Sequence, residues 1–191
     1  FNRLGFVYAV LKYRMPRGHF EVPVSDATEA LRIVRRHAAE WGVDAYKVGI
    51  MGSSAGGHLA STVATRSDSV DTPAFQILFY PVISMHRDVT HMGSHDHFLG
   101  KEATRAQEDS YSNEMQVTSS TTPAIILLSD DDTVVVPQNG VDYYSALKRA
   151  GVRGASLHIY PSGGHGWGCR ESFRFHYQMV ADLEAWLKTL K

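Results

Sequence analysis

Residues 48–60 read Val48-Gly49-Ile50-Met51-Gly52-Ser53-Ser54-Ala55-Gly56-Gly57-His58-Leu59-Ala60. A short apolar run enters a Gly-x-Ser-x-Gly turn and leaves in small residues suited to a helix, the strand–turn–helix setting a serine nucleophile needs. Gly52 and Gly56 are expected to let strand and helix approach closely and to tolerate so sharp a turn. Ser54 then stands at the tip of the turn, over a helix N-terminus. The Ala55 N–H at the start of that helix is a candidate oxyanion donor. A phosphate-binding reading of the turn lacks the Lys-Ser/Thr of a P-loop and the Gly-x-Gly-x-x-Gly of a dinucleotide fold.

Upstream, Gly5-Phe6-Val7-Tyr8-Ala9-Val10-Leu11 is a nearly continuous apolar run and predicts a strand buried on both faces. Asp26-Ala27-Thr28-Glu29 has capping-box spacing. Ala27, Ala30, Leu31, Val34 and Ala38 then recur at helical spacing, with Gly42 as a C-cap. The strand at 48–51 leads through the turn into a helix reaching about Thr65. Downstream, strands are predicted over 74–80, 124–128 and 155–160. A helix opens at Pro137 and runs to Gly151, and a closing helix presents Val180, Leu183, Leu187 and Leu190. Residues 84–122 are polar, with few periodic apolar positions, and predict an insertion or lid that can hold short helices. Strand and helix alternate throughout, so the expectation is a single α/β domain over 1–191. Its sheet is mostly parallel, with helices on both faces in three layers.

Composition removes several function classes. The net charge of −1 provides no basic field for nucleic acid and no acidic tail. No apolar run approaches the roughly 20 residues of a membrane span. The single cysteine, Cys169, excludes an intrachain disulfide and a multi-cysteine zinc site. It reads as a small packing residue.

In open α/β sheets, functional groups sit on loops beyond the C-terminal strand ends. Three such loops carry Ser54, the aspartates at 130–132, and His165. The order Ser, Asp, His is that of α/β-hydrolase triads. The spacing from Asp132 to His165 is 33 residues, room for one helix and one strand. Imidazole can take the serine proton near neutral pH, and a carboxylate holds the ring in the required tautomer. Glycines around His165 give its loop room to bring the ring over the serine. Ser53, Tyr80 and Trp167, on site-facing loops, are candidates for the substrate pocket.

Four motifs carry a family resemblance: Leu11-Lys12-Tyr13-Arg14-Met15-Pro16, Gly52 to Ala60, Asp130-Asp131-Asp132-Thr133-Val134-Val135, and Tyr160-Pro161-Ser162-Gly163-Gly164-His165-Gly166-Trp167. Together they resemble the α/β-hydrolase esterases near acetyl-xylan esterases and the hormone-sensitive-lipase-like group. The resemblance spans nearly the whole chain. It implies a serine carboxylic-ester hydrolase that works through an acyl-enzyme, without cofactor or metal, on a small-molecule or oligosaccharide ester. It implies Asp132 as the acid, because Thr133-Val134-Val135 matches the residues after the acid in the family. Val136 before Pro137 departs from that pattern and leaves Asp131 as the alternative. The family's second oxyanion donor sits on a Gly-rich loop preceding the run at 5–11. No such loop occurs in the sequence, so N-terminal strands are expected to lie outside it. A prolyl-oligopeptidase-like peptidase domain and a non-catalytic binding protein of the same fold are the rival readings.

His91, His95, His97 and Asp96 invite a metal reading, set against solvated residues of the insertion. His58, just after the turn, reads as a packing or capping group.

Overall fold

The structure is a computed structural model that describes residues 2, 5–66 and 70–190. Four parallel strands lie side by side in chain order: β1 (Ile50–Ser53), β2 (Gln76–Phe79), β3 (Ala124–Ser129) and β4 (Ser156–Tyr160). α1 (Glu21–Arg36) precedes the sheet, α2 (Ala55–Arg66) joins β1 to β2, α5 (Gln138–Arg149) joins β3 to β4, and α6 (His176–Lys188) follows. Between β2 and β3 run α3 (Met92–Phe98), α4 (Arg105–Tyr111) and a 3-10 turn (Asn113–Met115).

β2 and β3 are buried along their whole length because helices cover both faces, and their side chains divide with a period of two. Ile77, Phe79, Ile125 and Leu127 pack with Met179, Leu183, Trp186 and Leu187 of α6. Leu78, Ala124, Ile126 and Leu128 pack on the opposite face with Ala60 of α2 and Tyr143 and Leu147 of α5. Each of these large apolar side chains contributes roughly 1.5–3 kcal/mol on burial. The result is the three-layer α/β arrangement expected. The register sets Ser53 beside Phe79, and Ser129 beside Tyr160, so the loops after all four strands open at one end of the sheet.

Three expectations are corrected. Residues 5–11 are not a strand. They run outside the sheet with Val7, Tyr8 and Val10 exposed, and among the described residues β1 is the sheet's edge. A groove of about 670 Å³, lined by Phe6, Val10 and Leu11 on one side and Ile50, Met51 and Ile77 on another, separates the segment from β1. The segment forms no ladder with β1, so apolar character alone does not make it a strand.

The capping box is also absent. α1 starts at Glu21, five residues before Asp26. Pro23 is accommodated in the first turn, where its missing N–H is no loss. Asp26 is taken instead by Arg14, whose Nη2 and backbone N–H donate to it at 2.6 and 2.8 Å. Gly42 does not cap α1, which ends at Arg36. It reverses the chain after a further turn, at φ 67°.

The 84–122 segment is better anchored than its polarity suggests. Met85, Phe98 and Leu99 are buried against Val82 and Val135. Glu108 accepts from Arg87 Nε at 2.8 Å and from His95 Nε2 at 3.1 Å. Burial works against the Glu108 charge, but these donors prevail and hold its carboxyl below the usual range.

Candidate active site

β1 ends at Ser53 and α2 begins at Ala55, so one residue makes the whole turn between them. That residue is Ser54, at φ 54°, a left-handed conformation that a non-glycine residue adopts only when its surroundings impose it. Those surroundings are hydrogen bonds. Ser54 N–H donates to Phe79 O at 3.0 Å, and Ser54 O accepts from Gly57 N–H at 2.9 Å and Val82 N–H at 3.0 Å. The glycine requirement falls partly where the sequence puts it. A Cβ on Gly52 would stand 2.1 Å from Gly56 O, and one on Gly57 2.6 Å from Pro81 Cβ. At Gly56 a Cβ would meet nothing within 4 Å, so Gly52 and Gly57, not Gly56, permit the close approach.

The turn brings Ser54 Oγ to 2.8 Å from His165 Nε2, and His165 Nδ1 lies 2.6 Å from Asp132 Oδ2. An ionised carboxylate only accepts, so the proton of the neutral ring sits on Nδ1 and Nε2 is left to accept from the serine hydroxyl. Asp132 is itself fixed. Its Oδ1 accepts from Val134 and Val135 N–H at 2.9 and 3.0 Å, and its side chain is almost fully buried. Asp131, the alternative acid, points elsewhere: its Oδ1 accepts from Gly164 N–H at 2.8 Å. Asp130 is exposed and does not face the ring, its N–H donating to Tyr160 O.

Ala55 is the first residue of α2, so its N–H has no intrahelical acceptor and faces out of the helix N-terminus beside Ser54. Tyr80 and Trp167 are deeply buried, and their rings meet at 5.0 Å between centroids. The Tyr80 ring meets the imidazole at 4.7 Å between centroids, edge to face. Trp167 stacks on Phe173 at 4.0 Å and donates from Nε1 to Ser129 Oγ at 2.8 Å. Burial pushes the Tyr80 phenol up, and its hydroxyl hydrogen-bonds the Gly168 backbone and the Ser53 side chain.

The histidines of the 91–97 cluster and His58 have partners of their own. His91 caps α3, accepting from Ser94 N–H at 3.2 Å, and His97 Nδ1 bonds Gly93 O. His95 lies between Asp96 and Glu108. His58 bonds Tyr111 O at 2.8 Å and packs edge-on to Phe98, and burial pushes it down to about 4, so it is neutral near pH 7. Cys169 is exposed at the surface rather than packed.

Asn139 is a supporting residue that the sequence does not signal. Its Oδ1 accepts from Ile83 and Ser84 N–H, and its Nδ2 donates to Val89 O and Val136 O, joining the 84–122 segment to the Asp132 turn. A lone Asn in a helix carries no pattern that announces such partners.

A parallel sheet with a serine on the first strand's turn, and an aspartate and a histidine on the loops after β3 and β4, defines an α/β hydrolase. The chain belongs to the alpha/beta hydrolase fold family, which matches residues 2–168. It is 46% identical to the acetylxylan esterase of Xylanibacter ruminicola over 99% of this chain and 40% of that protein. It is 32% identical to endo-1,4-beta-xylanase B of Butyrivibrio fibrisolvens over 75% of this chain and 24% of that one. The chain therefore spans well under half the length of these curated relatives. Among solved structures, the acetyl ester-xyloside bifunctional hydrolase of Caldicellulosiruptor lactoaceticus superposes with a TM-score of 0.91 at 32% identity, over 99% of this chain and 73% of that one.

Proposed function

We propose that this chain is a serine carboxylic-ester hydrolase that removes acetyl groups from carbohydrate. The observation that carries the proposal is the continuous relay of Ser54 Oγ, His165 and Asp132 at 2.8 and 2.6 Å. Ser54 Oγ attacks the ester carbonyl as His165 Nε2 takes its proton. Asp132 keeps Nδ1 protonated and stabilises the charged ring. The carbonyl oxygen gains negative charge in the tetrahedral intermediate, where the Ala55 N–H donates to it; a donor of this kind is worth about 3–4 kcal/mol of barrier. The intermediate collapses as His165 gives the proton to the departing sugar hydroxyl, leaving an acetyl-serine. Water, deprotonated by the same imidazole, then releases acetate and restores Ser54.

The similarity to the acetylxylan esterase and to the acetyl ester-xyloside hydrolase supports an acetylated sugar as substrate. The test is acetate release from acetylated xylan by the intact protein, run beside p-nitrophenyl esters of increasing chain length and Xaa-Pro anilides. Release of acetate, with rates falling from acetate to octanoate esters, is expected. Cleavage of the anilides without esterase activity would reverse the proposal in favour of a peptidase.

A further inference from the structure

The loop that carries His165 has little stiffness of its own. Gly163, Gly164, Gly166 and Gly168 all have positive φ, at 148, 58, 86 and 50°. Glycines reach these conformations readily, but they bring no side chains to lock them. The histidine must nevertheless hold two short hydrogen bonds at once. After His165 the loop is fastened by Trp167, through Nε1 to the buried Ser129 Oγ. Before it, the fastening is the Asp131 carboxylate, which accepts from Gly164 N–H, the residue adjoining His165, at 2.8 Å.

Two neighbouring aspartates thus divide the work. Asp132 turns inward to the ring, and Asp131 turns outward to the backbone that bears it. Both project from one turn, which the Val134 and Val135 N–H groups fix through Asp132 Oδ1. A ring held only by the Asp132 bond can pivot about that bond and carry Nε2 away from Ser54. A second hold on Gly164 removes that freedom.

We propose that Asp131 is a positioning residue that keeps His165 Nε2 within reach of Ser54 Oγ. The inference rests on the reading of His165 as the proton carrier. It is consistent with the Asp131 carboxyl lying below its usual range, because the Gly164 N–H stabilises the ionised form, with a smaller share from Gly163.

The test uses Asp131→Ala and Asp131→Asn in the intact protein, with kcat and KM for p-nitrophenyl acetate followed across the pH range in which imidazole titrates. Both variants remove the charge, so an electrostatic effect on His165 moves the midpoint of the profile equally in both. Only Ala removes the acceptor. The expected result is a plateau kcat about tenfold lower in Ala with KM nearly unchanged, and most of it restored in Asn. Tenfold is a fraction of the ~100-fold that a misplacement of about 1 Å can produce.

The rate of fluorophosphonate labelling of Ser54 should follow the same order. Asp131 is exposed, so both variants are expected to fold, which melting checks. If Ala does not fold, Asp131→Ser takes its place in the comparison. A wild-type plateau in the Ala variant, or equal losses in Ala and Asn, overturns the inference. Wild-type protein that resists the probe, or labels as fast after His165→Ala, overturns the catalytic reading with it. Labelling that depends on His165 but not on Asp131 defeats the positioning role alone.

Discussion

Replacing Asp132 by Asn separates charge and tautomer from shape. The side chain keeps its size, and its carbonyl oxygen can go on accepting from Val134 and Val135 N–H, at 2.9 and 3.0 Å in the native protein. The other terminus changes character. Where Oδ2 accepts from His165 Nδ1 at 2.6 Å, an amide group can only donate. Nδ1 must then offer its lone pair, so the ring proton moves to Nε2, which faces Ser54 Oγ at 2.8 Å. The serine meets a donor where it needs a base. Flipping the amide does not escape this, because its NH2 would then oppose two backbone N–H groups, forfeiting about 1 kcal/mol for each lost bond and more for leaving them buried and unpaired. The expected loss in kcat is of order 10⁴, the size the same change has in the serine-protease triad. That equals about 5.4 kcal/mol at 1.36 kcal/mol per tenfold. The assay is kcat for p-nitrophenyl acetate, with melting recorded and Asp130→Asn, at an exposed neighbour, as the control. A folded Asp132→Asn protein that keeps more than a tenth of wild-type kcat would refute this reasoning.

The packing sets three further outcomes. Gly52→Ala should lose about 3 kcal/mol or more, because the new methyl meets the Gly56 backbone, whereas Gly56→Ala should hold or gain up to ~1 kcal/mol from helix propensity; melting of the two variants in parallel checks the order. His58 takes up a proton near pH 6.5 when unfolded but only near 4 when folded, so stability should decline as pH falls through that window, by roughly 3 kcal/mol, and level off below it. Denaturant unfolding at stepped pH should show that decline shrink in His58→Gln, and an unchanged slope counts against it. Ser129→Ala leaves the buried Trp167 Nε1 without its acceptor and should cost about 1–3 kcal/mol of stability, read by denaturant midpoint.

Much of the fold and site was legible because strong signals coincide locally. The runs at 74–80 and 124–128 predict strands, and β2 and β3 fall there, buried along their whole length in a parallel sheet. The Gly-x-Ser-x-Gly turn and the chain order of the three loops pick out Ser54, Asp132 and His165, which lie within hydrogen-bond distance of one another. What failed depended on partners distant in sequence. Residues 5–11 have strand composition but lie across a groove from β1, the edge of the sheet among the described residues. Asp26 has capping spacing, but Arg14 claims it. Gly56 and Gly57 are indistinguishable in the sequence until Pro81 packs against one of them. Asp131 and Asp132 differ by a single position, and only the three-dimensional turn separates a carboxylate aimed at the ring from one aimed at the backbone. Tyr80 and Trp167 are buried in an aromatic cluster with Phe79, Tyr160 and Phe173, a grouping drawn from distant parts of the chain.

The central claim is that Ser54 forms a covalent acyl intermediate with the help of His165. Rapid quench of the intact protein with an acetyl ester, coupled to peptide mass spectrometry, measures it directly. The expected result is an acetyl group on the peptide bearing Ser54, absent in Ser54→Ala and strongly reduced in His165→Ala. Turnover of the ester with no modification at Ser54, or with the Ser54→Ala protein as active as the native one, contradicts the mechanism.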